Sequence, residues 1–141
     1  MTRKMRAINS SIAHWKRMIK AVKTRPIFSE HDERRKYDDQ YECLQYDMED
    51  EIRECWDGEY CALCNLDCVD DHRYECEGCP IVESGFVSCE KSSSIWTAVN
   101  RSRTWKMWLK EANRMLKMLE SVRRKRSEYE AKQDKKVSKN R

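Results

Sequence analysis

Six of the chain's eight cysteines fall between residues 60 and 90, and four of them form two Cys-x2-Cys pairs, Cys61/Cys64 and Cys76/Cys79, eleven residues apart. A Cys-x2-Cys turn brings two thiolates within reach of one ion, and two such turns supply the four ligands of a tetrahedral zinc. Gly78, inside the second pair, eases its tight turn. One structural zinc ion (Zn2+) held by Cys61, Cys64, Cys76 and Cys79 is therefore the expected chemistry. Cys89 follows the second pair and could replace one ligand, and Cys68-x3-His72 has ligand-like spacing, so Cys89 and His72 stand as alternate ligands. A second metal fits less well. So does an iron–sulfur cluster: Cys79-Pro80 matches the end of such a motif, but the closely spaced cysteines that precede it there are missing.

A four-thiolate zinc leaves no open position for water, so this site folds chain rather than hydrolysing a substrate. The loop around it carries few apolar residues, Leu63, Leu66, Ile81, Val82 and Phe86, and needs such a staple. No other constellation points to catalysis. The three glycines, Gly58, Gly78 and Gly85, build no phosphate loop, and His14, His31 and His72 have no evident partners in sequence. Asp70-Asp71-His72 reads as exposed charge in an acidic loop, and no cysteine has an identifiable activating histidine. The expectation is a non-enzymatic protein.

The elements that must position the cysteines are helical. Ile8, Ile12, Trp15, Ile19 and Val22 recur at helical spacing over about residues 5–24, and Pro26 ends that helix. Ser29 reads as the N-cap of a second helix, over about residues 30–55, with Tyr37, Tyr41, Leu44, Met48, Ile52 and Cys55 on its apolar stripe. Cys55 belongs there as a small hydrophobe, and Cys43 beside it is read the same way. The cysteine module spans about residues 57–91. The serine run 92–94 then caps a third helix over about residues 94–125, with Trp96, Val99, Trp105, Trp108, Leu109, Ala112, Met115, Leu116, Leu119 and Val122 on a wide apolar face. Residues 131–141 are nearly free of apolar side chains and are expected to fray. The fold class is thus mainly α, a single domain of three long amphipathic helices with the zinc module between the second and third.

Charge is segregated along this plan. Residues 1–30 carry eight Lys or Arg against one acidic residue, residues 31–90 five against nineteen, and residues 91–141 sixteen against five, within a net charge of +4. Asp38, Asp39, Glu42, Asp47, Glu49 and Asp50 form an acidic surface on the second helix, continued by Glu51 and Glu54. Arg103, Lys106, Lys110, Arg114 and Lys117 form a basic strip on the third, extended by Arg123, Arg124, Lys125 and Arg126. That strip suits a phosphate backbone, although opposite charge on the acidic helix would neutralise part of it. The tryptophans sit on the apolar stripe, where core packing explains them better than base stacking.

Residues "INSSIAHWKRMI", "CALCNLDC" and "CEGCPIVESGFVSC" resemble a set of small, mostly uncharacterised phage and prophage proteins. The matching positions are Ser11, Ile12 and Trp15, then Cys61, Leu63, Cys64, Cys76, Cys79, Pro80, Gly85 and Cys89, across roughly residues 8–20 and 60–96. The chain departs from that pattern by the acidic segment ahead of its cysteines and by "CEKSSSIW" where a Pro-Tyr pair usually follows the last Cys. The resemblance implies a phage-type zinc module in which Cys89 is an alternate ligand, and it implies no reaction.

Without a secretory signal or an 18-residue apolar span, the chain is expected to be soluble and cytoplasmic, in the host cell, as a monomer or homodimer without a membrane partner. The expected role is binding a host protein of defence or transcription machinery, as inhibitor or adaptor. Binding DNA or RNA through the basic C-terminal helix is the other reading.

Overall fold

The computed structural model describes residues 1–35, 44–66 and 78–139, within which the chain is mainly helical and contains no strand. The helices are α1 (Arg3–Thr24), α2 (Pro26–Arg35), α3 (Leu44–Ile52), the single-turn α4 (Pro80–Glu83), α5 (Ile95–Asn100) and α6 (Trp105–Lys139).

α1 follows its expected stripe. Thr2 caps it by accepting the Met5 amide at 3.2 Å, and Ile8, Ile12, Trp15 and Ile19 are buried, with Ser11, His14 and Met18 widening the face. Arg25 is extended, as a residue before proline must be. Pro26 then opens α2 at once, because the first helical position needs no amide donor.

The second expected helix is corrected at its start. Ser29 is not a cap: it lies inside α2, its hydroxyl donating to the Pro26 carbonyl at 3.2 Å. The earlier start places Phe28 in the core, edge-on to Trp105 with ring centroids 4.7 Å apart. Tyr37, Tyr41 and Cys43 lie outside the described residues. Leu44, Met48 and Cys55 are buried as expected. α3 stops at Ile52 because Arg53 turns to a positive φ of 62° and returns its amide to Glu49 O at 2.8 Å.

The third expected helix is two helices. Ser94 caps α5 through the Thr97 amide at 3.1 Å, but α5 ends at Asn100. α6 begins at Trp105, where the Thr104 hydroxyl accepts the Met107 amide at 3.1 Å. Asp32 of α2 accepts the Trp105 and Lys106 amides at 2.7 and 3.0 Å, so a carboxylate from a distant element caps α6. α6 also continues to Lys139, past the point where fraying is expected.

α1 runs antiparallel to α6. Trp15 stacks on Trp108 at 6.4 Å and 15°, while Asn9, two turns earlier, meets Arg123, more than four turns later. Trp56 packs against both Trp105 and Trp108, at 6.2 and 5.3 Å between centroids. Trp15, Trp56, Trp105 and Trp108 are thus core residues, each aromatic pair contributing about 0.5–1.5 kcal/mol beyond the area it buries.

Candidate metal centre and charged face

The cysteine module starts where α3 ends. Asp57 caps a short 3-10 turn at Gly58–Tyr60, accepting the Gly58 amide at 2.8 Å, and the chain then turns back through Cys61. The Asn65 amide and side chain both donate to the Cys61 carbonyl, at 3.1 and 2.9 Å. Cys79 precedes Pro80 at the start of α4, and Gly85, with φ 90°, turns the chain out of that helix. Cys89 is fixed through its carbonyl, which accepts the Ser94 hydroxyl at 3.0 Å.

The module is seated on α1 and α6 as well as lying between α3 and α5 in the chain. Arg3 donates to the Leu66 carbonyl. Lys4 pairs with Glu83 at 2.6 Å, and Lys125 of α6 donates to the Ser84 carbonyl at 3.0 Å while lying over the Phe86 ring at 4.9 Å. Leu63, Leu66 and Ile81 are buried beneath these contacts.

Cys61, Cys79 and Cys89 are half-buried against the common core, and Cys64 is more exposed. Cys61 and Cys64 hydrogen-bond to each other, which lowers the Cys61 thiol to about 7 and pushes that of Cys64 up. Negative charge on Cys61, Cys89 or Cys79 raises Cys64 further. Among the described residues no group of three or more His, Cys, Asp or Glu side chains is gathered tightly enough to hold a metal ion. Of the expected ligands, Cys76 and the alternate His72 lie outside the described residues, as does Cys68.

A neighbour absent from the expected ligand set stands behind Cys61. Ser11 of α1 is 2% exposed, its hydroxyl has no fully formed hydrogen bond, and it lies close enough to Cys61 to lower that thiol. A polar residue on an otherwise apolar helical stripe was the available signal. Thiols at Cys-x2-Cys spacing are the donor type zinc takes, but those among the described residues are not gathered into a group that would hold it.

On the basic strip, Arg103, Lys106, Lys110, Arg114, Lys117, Arg124 and Lys125 are exposed, while Arg123 and Arg126 are half-buried. Arg114 pairs with Glu111, Arg126 with Glu130 at 3.3 Å, and Arg123 donates to Asn9 at 3.4 Å. Lys106, Lys110, Lys117 and Arg124 form no ion pair among the described residues.

The acidic surface answers other helices. Glu54 takes Arg17 at 2.9 Å and His14 at 3.3 Å, Glu51 takes Arg25 at 2.7 Å, and Asp47 faces His31 at 3.4 Å. Glu49 accepts from the Cys55 thiol at 3.9 Å, and Asp50 is exposed. Asp38, Asp39 and Glu42 lie outside the described residues. Glu54 thus pairs with α1 and Glu51 with the Arg25 that closes it.

No helix among the described residues is long and apolar enough to cross a membrane. No protein family, curated protein or solved structure matches the chain.

Proposed function

We propose that this chain is a non-enzymatic binding protein, a helical bundle stapled by zinc, whose working surface is the basic face of α6 and whose partner is a nucleic acid held through its phosphates. One observation carries the reading: Asp47, Glu51 and Glu54 engage His31, Arg25 and Arg17, while Lys106, Lys110, Lys117 and Arg124 have no carboxylate partner among the described residues. Steps of four, seven and seven residues keep these four on one side of the helix. With Lys135 and Lys139 beyond them, the stripe extends roughly 50 Å at about 1.5 Å per residue. Because Trp15, Trp56, Trp105 and Trp108 are buried in the core, the grip is on the backbone and tolerant of sequence. The phage-type setting rests on the resemblance alone.

Gel-shift titration of random duplex across salt tests the reading. Binding at micromolar concentration or tighter should weaken steeply with salt. Replacing Lys106, Lys110 and Lys117 together by Ala should lower the log–log salt slope by about three, close to one per phosphate contact. Absence of micromolar duplex binding at low salt, with a host protein retained by the chain from nuclease-treated lysate, would instead select the protein-partner reading, an inhibitor or adaptor of defence or transcription machinery.

A further inference from the structure

We propose that the cleft between the start of α1 and the middle of α6 receives one unpaired nucleotide of a bound strand, so that the basic face prefers single-stranded nucleic acid to duplex. This rests on the nucleic-acid part of the proposed function and names the form of the partner.

The cleft has a volume of about 900 Å³, ample for one nucleotide, and it lies on the basic stripe. Met1, Met5 and Asn9 form its α1 wall, and Lys117, Arg123 and Arg124 supply the charge of its α6 wall. Asn9 joins the two: its Nδ2 donates to Met1 Sδ at 3.5 Å, and its Oδ1 accepts from Arg123 at 3.4 Å. Arg123 is thereby held in place, half-buried, while Lys117 and Arg124 are exposed members of the stripe. A phosphate backbone that follows the stripe therefore crosses the mouth of the cleft. The seven residues from Lys117 to Arg124 span about 10.5 Å of helix, and a stacked base, at about 3.4 Å per nucleotide, passes between them.

Charge and surface chemistry select the occupant. Against the three cations the same cleft sets two carboxylates, Glu120 and Glu128, which leaves one net positive charge on its side chains. That balances the single charge of a phosphodiester within a strand, whereas the terminal phosphate of a free nucleotide carries nearly two. Met1 and Met5 offer polarisable thioether surface on which any base can lie. The two carboxylates act only as acceptors, and every base has an N–H on its Watson–Crick edge that pairing consumes and an unpaired base leaves free. A duplex thus lies across the cleft on its phosphates, and a single strand also fills it.

The test uses the full chain and fluorescence anisotropy at one salt concentration, with a mixed-sequence DNA strand that cannot pair with itself, the same strand in a perfect duplex, and a nucleoside monophosphate as competitor. The strand should bind about tenfold more tightly than the duplex, and the monophosphate should fail to displace it at micromolar concentration. Ser127→Trp, at an exposed position lining the cleft, fills it without removing a charge. This variant should bind the strand no better than the duplex while its duplex affinity stays at the wild-type value, which also shows that it folds. Met5→Ala, which trims the α1 wall, should weaken the strand alone by about fivefold. Equal affinity of the wild-type chain for strand and duplex overturns the inference and leaves the proposed function standing. A strand preference that both variants retain overturns it as well, and displacement by micromolar monophosphate assigns the cleft to free nucleotides instead. Failure to bind either strand or duplex overturns the nucleic-acid reading itself, so the two failures are distinguishable.

Discussion

At His14 burial and charge compete over one ring. Its Nδ1 lies 3.3 Å from Glu54, which favours the protonated form, but the ring is nearly enclosed in the core and Nε2 has no partner. Burial prevails and the pKa is lowered, with Arg17 adding to the effect. In the unfolded chain the ring takes up its proton near 6.5, and in the folded chain only at lower pH. Between the two the unfolded state binds more protons, so stability rises with pH and is lost as pH falls below about 6.5. Thermal unfolding between pH 7.5 and 5.5 should show this loss, and His14→Asn should flatten it; an equal slope in the variant would assign the loss to other groups. Cys55 shows how far residue-level reading reaches. Its place on an apolar stripe announced a buried hydrophobe, and the thiol is raised to about 11 by burial, with Glu49, Asp57 and Glu59 adding to it. For Ser11 the sequence showed only a polar residue on an apolar helical face, because its neighbour Cys61 comes from a different part of the chain.

At the scale of elements, the junction between α5 and α6 decides where the longest helix points. The apolar pattern is broken once, between Val99 and Trp105, where Ser102 occupies the position that would continue the stripe. That gap was readable, but the break could not be derived from it, since the carboxylate that fixes the new start belongs to Asp32, 73 residues before Trp105. Asp32 satisfies two amides that a helix start leaves without acceptors, and its charge faces the positive end of the α6 dipole. Asp32→Ala should therefore cost about 1–2 kcal/mol in urea unfolding, and Asp32→Asn less, because an amide oxygen still accepts one bond. A loss below about 0.5 kcal/mol for the alanine variant would show that Thr104 caps α6 by itself. The start of α2 at Pro26 has the same origin. Local preference made Ser29 a good cap, and burial of Phe28 against Trp105 outweighed it.

For the whole molecule, the division between core and module sets the response to metal loss. The core is a continuous apolar contact from α1 across Trp15, Trp56, Trp105 and Trp108 to α6, joined at one side by Leu63, Leu66 and Ile81 of the module. Among the described residues the module buries Leu63, Leu66, Pro80 and Ile81, packs Cys61, Cys79, Phe86 and Cys89 half-buried against the core, and is tied at its rim by Arg3 to Leu66, Lys4 to Glu83 and Lys125 to Ser84. Exposed pairs of this kind contribute only about 0–1 kcal/mol each, too little to order the loop that joins them. The proposed zinc supplies the remainder, because a metal that binds the folded module and not its unfolded form adds its binding free energy to folding. Chelation should therefore abolish hydrogen-exchange protection at the Cys61–Asn65 turn and at α4, while the amides of α1 and the first half of α6 stay protected. Helical circular dichroism should fall only slightly, since those two helices hold most of the described helix. Protection lost everywhere at once would mean that core and module fold as one unit. Protection unchanged throughout would mean that the module stands without metal, and the basic face of α6 would then be held in place by the core alone.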